Sequence, residues 1–393
     1  LYACSGRSFS SRTIGRKIPS IVQCWKRMNY EVHLLCGGDV DGVAEESDGD
    51  SANEYHARWF RKARTLRPIV HSISEKRDII HDQQMRVALS QLARKVSPDI
   101  VWERSCRLHC AGLEVARENG IPYVLEWKDH LIPYSFSWFH AAAVAMEKRK
   151  NAEADSIVVE SETLRNNLAR EGVDAGKVLV AHNAVNVNEF RRDDKAGATI
   201  RGEMGVGEDE ILAGYLGSYA FYHDARRLVL AADILRKEGM QKIKILMIGR
   251  GEEFPESQRL AEELGLLDAN LIIRPTVPLQ QVAGILSALD IAVLPGSTDI
   301  ICPIKIQEYM ASELATVAPD YESNREVIDD GKTGILFAPK NERALAKAIS
   351  SLAKNREMRL KLGQRARQEV KHRFTWEKTW GAVLDDIILR QYR

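Results

Sequence analysis

Short runs of apolar, often β-branched residues alternate along this chain with longer stretches whose apolar positions recur every three to four residues. The short runs read as strands buried on both faces, and the longer stretches read as amphipathic helices. Their alternation is the signature of a parallel sheet covered by helices. Leu1 to Cys4 opens the series, Ser5 to Gly15 is a Gly/Ser/Arg loop, and Arg16 to Met28 is the first helical pattern. Tyr30 to Cys36 is a second strand, Asp39 to Asn53 an acidic loop, and Tyr55 to Val96 is helical. Strands follow at Asp99–Trp102, Tyr123–Glu126, Ser156–Val159 and Lys177–Ala181. His182 to Lys195 reads as a crossover linker. A second series of strands follows at Ile211–Leu216, Ile243–Ile248, Asn270–Ile273, Asp290–Leu294, Ala315–Ala318 and Gly334–Phe337, before a Trp-bearing helix from Thr375 to Arg393.

At 393 residues the chain exceeds one ordinary core, so two domains are expected. The pattern divides them as 1–187 and 188–374, both Rossmann-like α/β units, with 375–393 packing back on the first. Two such domains facing each other leave a cleft suited to a ligand. With 45% hydrophobic and 28% charged residues the composition is that of a soluble globular protein, and the net charge of +1 provides no global field to recruit nucleic acid. The six cysteines form no paired framework, which fits reduced thiols in a cytoplasmic protein. Cys106 and Cys110 stand four apart but lack a second ligand pair for a metal. No apolar run is long enough to span a bilayer. Leu1 already lies inside a strand, so the natural N-terminus is expected upstream, and a removed targeting peptide stays open.

The richest chemistry is in Cys302-Pro-Ile-Lys-Ile-Gln-Glu-Tyr-Met-Ala311, which follows an apolar strand and the polar loop Gly296 to Ile301. A strand leading through a loop into a helix start is where open α/β sheets bind ligands. Free N–H groups and the positive dipole end suit phosphate there. Lys305 adds a cation in the first turn, and Glu308, one turn on, can accept two ribose hydroxyls. The stretch reads as a nucleotide-diphosphate site.

With these residues in view, nearly the whole chain resembles family-4 retaining glycosyltransferases of the GT-B fold, in their "SPxKxxEYMA" subgroup. Ala154-Asp-Ser-Ile-Val-Val-Glu-Ser161 resembles the "ADxVVVxS" strand, and His182-Asn-Ala-Val-Asn186 with Phe190 resembles the "NGVDxxxF" crossover. Gly217-Ser-Tyr-Ala-Phe-Tyr-His223 resembles the "GSFxxxHG" form of the phosphate loop, and Ile248-Gly-Arg-Gly251 resembles "VGDG". Pro303 to Ala311 and Ser323 to Ile328, with Gly331 and Gly334, match two further motifs.

The resemblance implies a sugar transferase whose nucleotide-sugar donor lies on the C-terminal domain. Glu308 then holds the ribose, Lys305 neutralises the diphosphate, and Gly217 and Ser218 bring backbone to the pyrophosphate, with Gly249 either helping or serving as a turn glycine. Thr276 and Val277, in the loop Arg274 to Val277, would seat the base, with Ile304 beside Lys305. His223 stands where most relatives have Lys, and Arg226 or Arg227 is a candidate for the missing cation. On the N-terminal side the implied catalytic residues are His130 and, second, Asp129, which otherwise merely cap the next segment. Gly6, Arg7, Gly15 and Arg16 flank the first loop, facing donor phosphates or acceptor. Glu103 and Arg104 border the acceptor or pair with each other. The implied mechanism is front-face displacement, with the leaving diphosphate accepting the acceptor proton, and no cofactor or divalent metal is expected. Asp39-Val-Asp41 and Asp48-Gly-Asp50 resemble pairs that bind metal-diphosphate in the other glycosyltransferase fold, but here they sit in an acidic loop. The acceptor is left open among metabolite, glycan, lipid and protein.

Departures from the pattern keep other functions in play. Ile300, beside Asp299, stands where relatives often carry a Glu, and Glu313 and Leu314 replace a usual Gly and Lys. Ala184 and Asn186 replace Gly and Asp in the crossover, and Gly15 stands where relatives often show two glycines. A non-catalytic nucleotide-sugar-binding scaffold and a nucleotide-sugar epimerase are therefore the alternatives. Arg58-Trp-Phe-Arg-Lys-Ala-Arg64, with Arg67, is either a solvated helix with its aromatics in the core or a peripheral membrane contact.

Overall fold

The computed structural model describes residues 1–11, 15–40, 67–128, 137–267 and 269–391. Its contacts divide the chain into two units, Leu1–Ala181 with Trp380–Arg393, and His182–Thr379. Each is built on a six-stranded sheet whose described neighbours all run parallel.

In the first unit the strands are β1 (Tyr2–Cys4), β2 (Leu34–Cys36), β3 (Val101–Arg104), β4 (Tyr123–Glu126), β5 (Ser156–Val159) and β6 (Val178–Val180). Their order is β2-β1-β3-β4-β5-β6, so the direction of winding reverses between β1 and β3. Buried on both faces, β1, β3, β4 and β5 need little alternation. The expected second strand shortens to β2 at the sheet edge, where the His33 carbonyl still accepts from the Tyr2 N–H at 2.8 Å. Helices α1 (Lys17–Arg27), α2 (Arg67–Val96), α3 (Ala111–Asn119), α4 (His140–Glu153) and α5 (Glu162–Arg170) belong to this unit. Ser161 caps α5 by accepting from the Leu164 N–H, and Gly120 ends α3 in the left-handed conformation.

The second unit carries β7 (Ile211–Ser218), β8 (Ile243–Arg250), β9 (Leu271–Pro275), β10 (Ile291–Val293), β11 (Ala315–Pro319) and β12 (Ile335–Phe337) in the order β12-β11-β10-β7-β8-β9. Here the winding reverses between β10 and β7. The helices are α6 (Asp194–Glu203), α7 (Ala225–Lys237), α8 (Phe254–Glu263), α9 (Leu279–Ala288), α10 (Ile304–Ala311), α11 (Glu322–Arg325), α12 (Glu342–Lys354) and α13 (Arg356–Arg373). One continuous core joins the sheet to these helices. Buried Arg367 of α13 donates to the carbonyls of Ala311, Phe190 and Val187, tying the crossover to the end of α10. Glu313, which replaces a usual glycine, has φ +59°, in the left-handed region that favours glycine. Its carboxylate lies 3.3 Å from Arg367 Nε.

The expected continuous helix from Thr375 is broken by a π turn at Glu377–Gly381, after which α14 (Ala382–Gln391) runs on. The wider turn sets Trp380 fully inside the first unit. Its carbonyl accepts from Trp25 Nε1 at 3.1 Å, and its ring packs near Trp102, itself edge-on to Trp25.

Candidate functional site

Open parallel sheets bind ligands beyond the carboxyl ends of the strands where winding reverses. In the second unit β7 ends there at Gly217 and Ser218, while β10 leads through the loop 294–303 into α10. Two buried asparagines brace that loop. Asn183 Nδ2 donates to the Cys302 carbonyl at 3.0 Å, and Asn324 Nδ2 donates to Ser297 Oγ at 3.0 Å and to the Pro319 carbonyl at 2.8 Å.

Lys305, in the first turn of α10, reaches back across the strand end. Its Nζ lies 3.0 Å from His223 Nε2 and 5.2 Å from the centre of the Tyr215 ring. His223 Nδ1 in turn lies 3.3 Å from the Gly296 carbonyl. An ammonium can only donate and a carbonyl can only accept, so this assigns the proton to Nδ1 and leaves Nε2 as acceptor. Burial, with Lys305 alongside, pushes the His223 pKa down to about 3, so the ring is neutral at pH 7. Burial also pushes Lys305 down to about 7, with Glu308 pulling it back up. Among the described residues no carboxylate lies within ion-pair distance of Lys305. A poorly solvated lysine without a paired anion is suited to an anionic ligand.

Glycines make this approach feasible. A Cβ on Gly217 would stand 2.6 Å from Lys305 Nζ, and one on Gly249 only 1.8 Å from the Gly217 carbonyl oxygen. Ser218 is exposed, and its Oγ accepts from the Ala220 N–H at 3.1 Å. Its carbonyl accepts from the Tyr215 hydroxyl at 2.5 Å. Glu308 is 5% exposed, one turn beyond Lys305 on the same helix. Ile304 and Val277 are half-buried, and Thr276 is exposed after β9.

The two arginines of α7 part company. Arg227 is engaged by Asp224, Glu342 and the Lys340 carbonyl. Arg226 is exposed and has no ion-pair partner among the described residues.

In the first unit, Arg7 pairs with Asp78 at 2.7 Å, and Arg16 is half-buried just before α1. A Cβ on Gly6 would stand 2.8 Å from Cys106 Sγ, and Gly15 has φ +66°. Glu103 and Arg104 do not pair with each other, because adjacent strand residues point to opposite faces. Glu103 accepts from Ser5 Oγ at 2.7 Å, Tyr123 OH at 2.6 Å and the Gly112 N–H at 3.2 Å, while Arg104 pairs with Glu126. Asp129 and His130 lie outside the described residues, as do Asp41, Asp48, Asp50 and Arg58 to Arg64. All six cysteines are free, and among the described residues no group of three or more His, Cys, Asp or Glu is placed to hold a metal ion.

Sequence reading did not find Tyr215, Gly296 or Asn324 as site-forming. The asparagines and Gly296 left a faint signal, since small polar residues crowd the loop after β10, but their partners are distant in sequence.

Comparisons with known proteins match both parts of the chain. Residues 173–369, half of the chain, match the family described as glycosyl transferases group 1, and residues 12–184 match the glycosyl transferase 4-like domain. A D-inositol 3-phosphate glycosyltransferase of Streptomyces avermitilis is 26% identical over 254 residues, covering 62% of this chain and 54% of that protein. The chain thus spans about half the length of the curated relatives first matched. A GDP-mannose-dependent alpha-mannosyltransferase of Mycolicibacterium smegmatis is 24% identical over 312 residues, covering 75% of this chain and 73% of that one. Among solved structures, a glycosyltransferase from Rickettsia africae superposes with TM-score 0.72 at 16% identity, covering 98% of this chain and 96% of that one. Anabaena HepE in complex with UDP-glucose superposes with TM-score 0.66 at 16% identity, covering 77% and 82%.

Proposed function

Since the chain belongs to the glycosyl transferases group 1 family and has the GT-B fold, we propose that it is a cytoplasmic retaining hexosyltransferase. It moves a sugar from a UDP- or GDP-sugar to an acceptor hydroxyl. The observation that carries this reading is the unpaired Lys305 beside Gly217, one helical turn from Glu308. The diphosphate lies against Lys305 and the N-terminus of α10, and Glu308 accepts the ribose hydroxyls. In front-face displacement the bond from the sugar anomeric carbon to the phosphate oxygen breaks. The bond to the acceptor oxygen forms on the same face, and the acceptor proton passes to the departing phosphate oxygen. The protein contributes orientation and charge stabilisation, without a divalent metal. Support for the donor class comes from one relative named for GDP-mannose and from a structural neighbour holding UDP-glucose. The acceptor is assigned to the first unit. Thermal-shift binding against UDP, GDP, ADP, CMP and their sugar conjugates, with Glu308→Ala as control, tests the reading. A shift for one nucleotide, lost in the variant, is expected; no shift for any of them overturns it.

A second observation favours peripheral contact with an anionic membrane. Along α2, Ile69, Ile73, Ile80 and Val87 are each at least 44% exposed, interspersed with Lys76, Arg77, Arg86, Arg94 and Lys95. The helix's acidic residues are occupied, with Asp78 on Arg7, Glu75 on Arg107 and Asp82 on the N-terminus of α3. Arg86 pairs with Glu118, and the apolar stripe with the remaining basic residues suits a negatively charged lipid surface. No described helix is long and apolar enough to cross a membrane. Sedimentation with phosphatidylserine vesicles, reduced by Lys76→Glu with Arg77→Glu, is the expected result.

A further inference from the structure

The carboxyl ends of β3 and β4 carry Arg104 and Glu126, and Glu160 follows directly on β5. The first residue of α1, Lys17, reaches the same place. Its ammonium pairs with Glu160, lies 3.6 Å from Glu126 and sits 4.2 Å from the centre of the Trp380 ring. Arg104 pairs with Glu126, which also accepts from Tyr2 OH at 2.5 Å and Trp102 Nε1 at 3.2 Å. Lys128 stands two residues beyond β4, half-buried, with no hydrogen-bond or ion-pair partner among the described residues.

The described charges here do not balance. Arg104, Lys17 and Lys128 are three cations, against the two carboxylates Glu126 and Glu160. Glu126 is fully buried, Glu160 is 5% exposed and Arg104 is 6% exposed. Arg104 Nε is buried with no acceptor among the described residues. A buried donor without an acceptor is costly unless a ligand supplies one. Burial and the neighbouring Arg104 hold Lys128 below the ordinary lysine range, against the opposing pull of Glu160 and Glu126. Lys17 and Lys128 both reach solvent, so the cluster is open on one side. It also lies at strand ends beside the winding reversal between β1 and β3, the position at which parallel sheets accept ligands.

We propose that Lys128, Arg104 and Lys17 form an anion subsite that selects an acceptor bearing a phosphate or carboxylate group. The acceptor assignment rests on the transferase reading given above; the anion site itself does not. Glu126 and Glu160 hold Arg104 and Lys17 in place, while Lys128 and Arg104 Nε meet the anion. Neutral sugars and alcohols lack the charge that the cluster is missing and bind less well.

Inorganic phosphate is the probe, measured by thermal shift against chloride at matched ionic strength. The Lys305→Gln background removes the donor-side phosphate contact. In that background phosphate is expected to raise the melting midpoint by a few degrees. Adding Lys128→Gln should raise the phosphate concentration required by about tenfold, and Lys128→Arg should restore it. No phosphate shift in the Lys305→Gln background, or a shift that survives Lys128→Gln unchanged, overturns the subsite. If the unmodified protein binds none of the nucleotides, the transferase reading falls, and the assignment of the anion as an acceptor falls with it. If nucleotides bind and phosphate gives no shift, only the subsite falls.

Discussion

The Lys305 ammonium donates to Nε2 of His223 at 3.0 Å, so the two bases nearest the winding reversal of the second unit share one hydrogen bond. Histidine at position 223 therefore does not replace a lysine cation. It acts as a neutral rest for Lys305, keyed by the Gly296 carbonyl. The cationic role falls to Lys305 alone or with exposed Arg226.

Lys305→Met should separate stability from binding. Lys305 titrates near 7 in the folded protein, below the ordinary lysine value of about 10.4. Between those values the folded state binds fewer protons than the unfolded one, so this residue's contribution makes stability rise with pH across that window. The methionine variant should gain on the order of 1 kcal/mol at pH 7. It should also lose the part of the pH dependence due to Lys305, and bind no nucleotide. Urea unfolding at pH 7 and pH 9 measures the first two effects, and the thermal-shift panel the third.

Affinity for the bound nucleotide-sugar should depend on pH through the same group. Binding the diphosphate favours the ammonium, so affinity should fall by up to about tenfold per pH unit above 7, until the pKa of the complex is reached. A diphosphate sugar suits this titration better than a free nucleotide, whose terminal phosphate ionises near neutrality. Calorimetry from pH 6 to 9 should show the decline, with a nearly flat profile in Lys305→Gln.

Gly249→Ala should disrupt the phosphate loop from below. Its methyl group would meet the Gly217 carbonyl oxygen at 1.8 Å, and neither backbone can yield without parting β7 from β8. A loss of about 1–3 kcal/mol in urea unfolding is expected. Weaker nucleotide binding should accompany it.

Glu126→Gln should be the most damaging conservative change in the first unit. The carboxylate is fully buried and serves Arg104, Lys17, Tyr2 and Trp102 together. Removing its charge leaves Arg104 buried without its partner, at a cost of about 3–5 kcal/mol. The neighbouring cations hold the Glu126 pKa below the usual carboxylate range. The stability it supplies is therefore present above the unfolded pKa and lost as pH falls through the folded one. Acid unfolding of the native protein and the variant should converge at low pH.

Arg226→Ala and Arg227→Ala should diverge. Arg227 is taken up by Asp224 and Glu342, so its loss should lower the urea midpoint and leave nucleotide affinity little changed. Arg226 is exposed at the start of α7, so its loss should weaken nucleotide-sugar binding and leave the midpoint within about 0.5 kcal/mol of wild type.

The parallel-sheet pattern was legible because these strands are buried on both faces and their apolar runs are nearly continuous. Lys305 and Glu308 were legible as a pair because one helical turn joins them. The role of His223 was not, since its partners lie 82 and 73 residues away. Arg227 was open for the same reason, as its partner Glu342 belongs to another helix. The opposed directions of Glu103 and Arg104 were implicit in strand alternation, yet the pairing was kept as an option. The π turn before α14 left no mark, because a one-residue widening does not alter the helical period enough to see.

The return of Trp380 to the first unit bears on how the protein comes into being. Ribosomes deliver residues in order, and domains commonly fold as soon as they have emerged. Here the tryptophan that closes the aromatic cluster of Tyr2, Trp25 and Trp102 emerges nearly two hundred residues after Ala181. The second unit, His182–Thr379, is complete before that residue arrives. The first unit is therefore closed only after the second has emerged, and a nascent chain stalled before Trp380 carries an unclosed sheet for chaperones to guard.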